Sequence, residues 1–280
     1  MELTVWGARG SIPVSGREYV KYGGDTTCLA LETGGGDMII FDAGSGLRAL
    51  GNEALAEGRT EFHFLLTHAH WDHLLGFPFF KPLYRKNVSI FFHGCTFAQQ
   101  SIRTILQGTM RAPFFTVDLT EVAASLQFDD ECLPEFGVAG LRCFSCPLNH
   151  PNQGYGFIVQ EVARRMAFFP DNELGHHHRG GKSFDHYRLF LEGVDVLFHD
   201  AEFLPSEYTA FAEGWGHSVY PETVRLGAAA KVGRLVLWHL NQDRSDAQAD
   251  ELLRAAREEL AAAGAESSCD LAATGMTVSL

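Results

Sequence analysis

The sequence lacks long apolar runs and an excess of basic residues, and each absence argues against a class of protein. No stretch approaches the roughly 20 apolar residues of a membrane-spanning helix, so we expect no membrane partner. Met1–Val5 has neither a basic region nor an apolar core, which argues against a signal peptide and favours a cytoplasmic protein. Lysine and arginine number 22 against 35 acidic residues, a formal charge of -13. Long nucleic acids are held through many basic contacts, so we do not expect one as a partner.

Cysteine is also scarce and is not arranged as a disulfide framework. The six cysteines are scattered along the chain, and in a reducing compartment they would be thiols. Cys143 and Cys146 form a Cys-x-x-Cys pair with no second pair nearby. That spacing alone is weak evidence for a structural zinc, so we predict two buried thiols.

What the sequence does contain is enough apolar material for a layered core, since 46% of its residues are hydrophobic and 20% charged. Length alone would allow two domains at 280 residues, but α/β folds often run this long as one unit, so we predict a single domain over 1–280. Hydrophobic periodicity predicts strands at Leu3–Trp6, Cys28–Glu32, Met38–Asp42, Phe62–Thr67, Val88–His93, Gly156–Val162, Arg165–Phe169, Asp195–His199, Leu235–His239 and Met276–Leu280. Helices are predicted at Gly46–Glu57, Thr96–Gln107, Pro221–Lys231 and Ser245–Ala263.

The densest group of ligand-type residues lies directly after the apolar run that ends at Leu66. His68 and His70 are two positions apart, so on an extended backbone their side chains leave on the same side and can bind one ion. Asp72 and His73 follow the turn, where a starting helix would aim them at a second ion. Imidazole and carboxylate together suit zinc, manganese or ferrous iron. We therefore predict that this loop binds metal.

Three further ligand-type residues close predicted strands elsewhere in the chain. His150 follows a mixed apolar stretch, Asp171 closes a short strand, and His239 ends another apolar strand. The carboxyl ends of strands form the edge at which open α/β sheets build their sites. These three residues can therefore supply what a second ion requires.

The spacing of all these residues resembles that of the metallo-β-lactamase superfamily of metal-dependent hydrolases. Its pattern is a His-x-His-x-Asp-His loop followed by a distant His, a distant Asp and a final His. The resemblance implies an α/β fold, a four-layer αββα sandwich, and two divalent ions, zinc first with manganese or iron as alternatives. Carried over by position, one ion would be held by His68, His70 and His150, the other by Asp72, His73 and His239, with Asp171 bridging both. An aspartate at the bridging position is similar to the phosphodiesterase, ribonuclease Z and glyoxalase II branches, whereas the lactam-hydrolysing branch typically has cysteine.

Finer motifs resemble a bacterial ribonuclease Z-like or class III cyclic nucleotide phosphodiesterase-like subgroup. The opening residues 6–13 and 22–28 are similar to that subgroup, although Asp25 stands where asparagine is common. Residues 195–203 resemble the His-Glu-Ala-Thr stretch of ribonuclease Z, with Asp200 in the acidic place, and residues 214–218 resemble its Gly-His-Ser segment. The resemblance implies a catalytic set of His217 as general acid, Asp200 as its orienting partner, and Asp72. It also implies that Asp42 supports the ligand loop rather than binding metal.

These features predict a dinuclear metal-dependent hydrolase that attacks a small phosphodiester, a cyclic nucleotide among the candidates, with metal-activated water. A thioester or lactone hydrolase stays open as an alternative, because the same water can attack a carbonyl. A non-catalytic sensor that binds metal or nucleotide is the competing class.

Several segments keep two interpretations at this stage. The loop His176–His178 could close over substrate, with Arg179 and Lys182 on phosphate, or be an ordinary solvated loop. The aromatic run Gly76–Tyr84 indicates packing in the core or at the interface of a homodimer, with one ring stacking on a nucleobase as the alternative. Three histidines without a partner pattern are predicted to serve structure or surface: His63, His93 and His186.

Overall fold

The computed structural model describes residues 1–94, 100–129 and 133–280. Its strands are β1 Glu2–Gly7, β2 Cys28–Glu32, β3 Met38–Phe41, β4 Glu61–Leu65, β5 Ser89–His93, β6 Ser125–Asp129, β7 Glu135–Val138, β8 Leu141–Pro147, β9 Tyr155–Glu161, β10 Arg164–Phe169, β11 Val196–Asp200, β12 Arg234–Trp238, β13 Ser268–Leu271 and β14 Thr277–Ser279. Its helices are α1 Leu47–Ala56, α2 Trp71–Leu74, α3 Ile102–Thr109, α4 Phe184–Phe190, α5 Pro205–Glu207, α6 Tyr220–Ala229 and α7 Asp246–Ala262. A π-helical turn, Tyr208–Ala212, continues α5.

Within the described residues, the strands form two mixed sheets of seven strands each. The first sheet has the order β14-β1-β2-β3-β4-β5-β6 and the second β13-β12-β11-β10-β9-β8-β7. In the second sheet β10, β11 and β12 are parallel, and β8 shares their direction because β9 is antiparallel to both β8 and β10. In the first sheet β3, β4, β5 and β6 are parallel. Several strand carboxyl ends therefore meet along one edge of each sheet.

The two sheets pack face to face, and helices cover their outer faces. The inner core joins residues of both sheets, including Phe41 of β3 and Phe168 of β10, whose ring centroids are 5.3 Å apart. Helices α1 and α3 pack on the first sheet, while α4, α6 and α7 pack on the second. The order of layers is thus helix, sheet, sheet, helix, and the predicted four-layer αββα sandwich is confirmed.

Helix α7 shows how local sequence sets these boundaries. The Ser245 hydroxyl accepts a hydrogen bond from the backbone N–H of Gln248, and the Gln248 side chain accepts one from the Ser245 N–H. Four of its residues recur every three or four positions and are buried, so one stripe faces the core. Gly264 follows the last turn with φ of 68°, a conformation that favours glycine.

Other elements differ from the prediction. Helix α3 begins at Ile102 because the Ser101 hydroxyl caps it by accepting from Thr104 N–H. Of the residues predicted to precede it, 96–99 lie outside the described residues, as do Cys95 and Cys132. Strands β6, β7 and β13 and helices α4 and α5 lie where the hydrophobic pattern predicted no element. No helix of the described part of the chain has the length and hydropathy needed to cross a bilayer.

The Cys-x-x-Cys pair lies on β8 as two buried thiols on opposite faces of the strand. Cys143 faces the core between the sheets, whereas Cys146 faces the layer of helices on the second sheet. Burial raises the pKa of both thiols to about 12. The strand geometry therefore prevents the two sulfurs from binding one zinc ion.

Candidate metal centre

The structure brings all seven predicted ligands together where the carboxyl ends of β4, β8, β10 and β12 meet. The side chains form two neighbouring groups. Within each group the ligand atoms lie within 4.8 Å of one another. The first group is His68, His70, His150 and Asp171, and the second is Asp72, His73 and His239. Asp171 lies between them, since its Oδ2 is 3.5 Å from His68 Nε2 of the first group and its Oδ1 is 3.2 Å from His73 Nε2 of the second.

A buried carboxylate beneath the loop holds the half of the cluster that comes from the first sheet. Asp42 follows β3 with φ of 58° and accepts hydrogen bonds from the N–H and the hydroxyl of Thr67, each at 2.7 Å. It also accepts one from His73 Nδ1 at 2.7 Å. This contact fixes the imidazole tautomer and turns His73 Nε2 toward the cluster. Asp42 thus supports the loop, as the resemblance implied.

Three of the four other ligand-type histidines are oriented by different groups. His150 Nδ1 donates to the carbonyl of Gly216 at 2.9 Å, and His68 Nδ1 lies 3.1 Å from the Thr67 hydroxyl. His239 Nδ1 lies 3.2 Å from Glu202 Oε2. In each of these rings the other nitrogen, Nε2, faces the cluster.

The chemistry of the cluster fits divalent metal ions. His68 Nε2, His73 Nε2 and Asp171 Oδ1 are buried and have no hydrogen-bond partner among the described residues, and each such group costs about 1–3 kcal/mol when left unpaired. Burial lowers the pKa of His150 to about 3, which keeps its imidazole in the neutral form that binds metal. Burial also opposes a charge on His73 and His239, but the carboxylates around them, Asp171 the strongest, together outweigh it and leave the pKa of both raised. The carboxylates of the cluster therefore favour a positive charge at its centre, and metal ions would supply that charge.

The motif at the start of the chain, residues 6–13, forms one wall of this site. A Cβ at Gly10 would lie 2.3 Å from the ring of His239, so only glycine allows this approach. The N–H of Ser11 donates to Asp72 Oδ2 at 2.9 Å. Arg9 is buried and donates to the carbonyls of Gly23, Asn241 and Arg244, which ties the segment after His239 to the motif. Asp25, the departure from the subgroup, accepts a hydrogen bond from the Ser45 hydroxyl at 2.7 Å.

His217 lies beside the cluster and contacts the partner that the sequence indicated. Its Nδ1 donates to Asp200 Oδ2 at 2.9 Å and lies 3.4 Å from Glu202 Oε2. Its ring stacks on that of His239 with centroids 4.3 Å apart, and its Nε2 is 3.9 Å from Asp171 Oδ2. Burial lowers the pKa of His217, but the Glu202 and Asp200 carboxylates outweigh it and raise the value to about 9. Burial raises the pKa of Asp200 to about 6.

Sequence reasoning missed two buried carboxylates of the site, Glu202 and Glu173. Glu202 contacts both His217 and His239, and its Oε1 accepts from the Asn241 side chain at 2.7 Å. Its signal was an acidic residue in the place of threonine in the segment likened to His-Glu-Ala-Thr.

Glu173 joins three segments around His150 and His217. Its carboxylate accepts from His178 Nε2 and Tyr208 Oη at 2.6 Å, and from the N–H groups of Gly214 and Gly216 at 2.7 Å. The available signal was a charged residue only two positions after Asp171. These bonds fix the backbone that presents His217 and anchor His178, while His177 and Arg179 are exposed.

The aromatic run 76–84 packs mainly in the core of the first sheet, and the three histidines without a partner pattern lie on that sheet or at the surface. Phe77, Phe80 and Leu83 are buried in the core of the first sheet, and Phe79 is 55% exposed. His63 and His93 are joined by a 3.0 Å hydrogen bond on the first sheet, and His186 is exposed.

Comparisons with known proteins agree with this geometry. The family model described as Beta-lactamase superfamily domain matches residues 37–240. Ribonuclease BN of Escherichia coli is 25% identical over an alignment of 268 residues, which covers 79% of this chain and 84% of that protein.

Solved structures show the same fold. The crystal structure of the metallo-beta-lactamase fold protein YhfI from Bacillus subtilis has a TM-score of 0.70 at 17% identity, covering 99% of this chain and 98% of that one. The crystal structure of a diphosphatase from the PhnP family has a TM-score of 0.69 at 17% identity, covering 100% of this chain and 97% of that one. The predicted metallo-β-lactamase fold is thus confirmed.

Proposed function

Because the chain belongs to the β-lactamase superfamily, we propose that it is a dinuclear metal-dependent hydrolase of a small phosphodiester. Its seven ligand-type side chains would hold the two ions in the groups described above. When bound, such ions supply an activated water and a Lewis acid for the phosphoryl oxygens. The nature of the ligands is compatible with zinc, manganese or iron.

The observation that carries the proposal is the position of His217. His217 is not one of the seven predicted ligands, although it forms a third group with Asp171 and His239 whose ligand atoms lie within 4.8 Å of one another; its Nδ1 is held by Asp200 and its Nε2 is directed at the cluster. Hydrolysis replaces one phosphorus–oxygen ester bond with a bond to the oxygen of water, and the departing alkoxide needs a proton. His217 Nε2 can deliver that proton, while the Asp200 carboxylate fixes the ring orientation. Alkoxides are poor leaving groups, so such a donor matters more for an alkyl phosphodiester than for a thioester.

The space beside the cluster favours a small substrate. A cavity of about 540 Å³ opens at His70 and His217, within the range of small-molecule sites. The net negative charge of the chain also favours a small substrate over a long nucleic acid.

Hydrolysis of bis(4-nitrophenyl) phosphate tests the proposal. Metal-loaded protein is expected to release 4-nitrophenolate, and chelation or His70→Ala should abolish release. His186→Ala, which changes an exposed histidine on α4, is the matched control and should retain it. Absence of turnover with zinc, manganese and iron all tested would overturn the proposal. Turnover of thioesters or lactones alone would favour the alternative hydrolase, and ligand binding without product would favour a sensor.

A further inference from the structure

One wall of the cavity beside the cluster is aromatic. Phe203 is buried at its base, while Phe211 and Trp215 are 56% and 57% exposed. The ring centroids of Phe203 and Phe211 are 6.2 Å apart, and those of Phe211 and Trp215 are 5.7 Å apart. Large apolar rings grouped at a cavity and left open to water mark a binding surface.

The backbone beneath Trp215 is held firmly although its ring is exposed. Gly214 and Gly216 have φ of 85° and 99°, the left-handed region that favours glycine. Both of their N–H groups donate to the buried Glu173 carboxylate. A Cβ at Gly216 would lie 2.2 Å from the ring of His150, so this turn also packs against a predicted ligand. The ring is therefore presented to the cavity in advance of any ligand.

The polar rim of the cavity offers acceptors of hydrogen bonds. It includes the carboxylates of Glu207 and Asp243 and the amides of Asn241 and Gln242, with Glu202 buried below them, and among the residues described no lysine or arginine side chain lines it. The guanidinium of Arg244, nearby, is buried and bonded to Glu207 at 2.7 Å. The Asp243 carboxylate is exposed and a carboxylate only accepts hydrogen bonds, so this part of the rim suits a group with N–H donors.

We propose that this cavity is the subsite for a planar aromatic group with amino donors, such as an amino-substituted nucleobase, carried by the diester. The ring would stack on Trp215 and Phe211, and its amino group would face Asp243. This inference rests on the proposed function for the identity of the reacting bond, and it names the class of substrate attached to that bond.

A matched pair of substrates isolates the contribution of the ring. Adenosine 2′,3′-cyclic phosphate and glycerol 1,2-cyclic phosphate share a five-membered cyclic diester, and only the first carries a base. The wild-type kcat/KM for the adenosine compound is expected to exceed that for the glycerol compound by about tenfold or more, the usual scale of base stacking. Trp215→Ala and Phe211→Ala should each lower this ratio about tenfold, mainly through KM. Phe79→Ala removes an equally exposed ring outside the cavity and should leave the ratio unchanged.

The amino donor is tested with purine riboside 2′,3′-cyclic phosphate, which has a hydrogen atom in place of the adenine amino group and no N–H on that edge of the base. Wild type should prefer the adenosine compound several-fold, and Asp243→Asn should reduce that preference. Equal rates for the two purines in wild type would overturn the assignment of the rim.

Calorimetry separates failure of this inference from failure of the proposed function. Metal-loaded wild type should bind adenosine 5′-monophosphate about tenfold more tightly than ribose 5-phosphate, and Trp215→Ala should remove the difference. Should no diester be hydrolysed, the proposed function fails while this binding difference still decides the subsite. Should diesters be hydrolysed with the same substrate ratio in wild type, Trp215→Ala and Phe211→Ala, the subsite is wrong and the proposed function stands.

Discussion

The two sheets contribute to the cluster in different ways. The first sheet supplies four ligand-type side chains from one loop, residues 68–73, and a single carboxylate, Asp42, orients this loop. The second sheet supplies His150, Asp171 and His239 from three separate strand ends, and each is held by different groups. One half is therefore a local property of the chain, whereas the other exists only once the order of strands is established.

The difference implies that the two halves fail in different ways. The loop depends on one buried hydrogen-bonding centre, so a single change there affects several ligand-type residues together. The ligands of the second sheet depend on hydrogen bonds between segments that are distant in sequence. A single change there should displace one segment and leave the loop 68–73 intact.

The largest effect is expected for Asp42→Asn. The amide removes the charge that favours His73 Nδ1–H and offers a donor where the carboxylate accepted, so His73 Nε2 loses its free lone pair. We expect metal affinity and kcat/KM to fall about a hundredfold, measured by metal titration and diester hydrolysis. Asp37→Asn, an exposed aspartate at the other end of β3, is the control. A metal affinity within twofold of wild type would show that Asp42 does not orient the loop.

A smaller effect is expected for Glu173→Gln, which changes the carboxylate that joins distant segments beside the ligands of the second sheet. The amide keeps one accepting oxygen but places an N–H₂ group against donors such as the Gly216 N–H. We expect kcat to fall about tenfold with little change in KM, and the amides of Gly214 and Gly216 to exchange hydrogen faster. Glu213→Gln, an exposed carboxylate of the same segment, should change neither quantity. Unchanged amide exchange in Glu173→Gln would refute the positioning role.

The smallest effect is expected for Asp25→Asn, which restores the residue common in the subgroup. An asparagine oxygen can still accept from the Ser45 hydroxyl, so the hydrogen bond is kept. The free energy of unfolding should change by less than about 0.5 kcal/mol, measured by urea denaturation, and bound metal should not change. A change of several-fold in activity would show that the charge at this position takes part in the chemistry.

The same contrast explains how much could be predicted from the sequence. The ligand loop, the apolar strands and the caps of α7 were predictable because their signals lie within a few residues. Strand β6 was missed although exposed and half-buried residues alternate along it. It lies at the edge of its sheet, and none of its residues is fully buried, so its signal in the sequence is weak. The roles of Glu173 and Glu202 were not predictable, because each depends on contacts with residues 5 to 43 positions away. Strand ends indicated His150, Asp171 and His239 as further ligands, but their assignment to particular ions came only from the resemblance.

Counting bound metal tests the central claim that two sheets build one two-ion centre. The protein is stripped by chelation, reconstituted with zinc, desalted and analysed by mass spectrometry for metal per chain. We expect two ions per chain in wild type and one in His239→Ala, because the loss removes a ligand of one group and leaves the group of His68, His70 and His150. One ion per chain in wild type, or two in both proteins, would contradict the account.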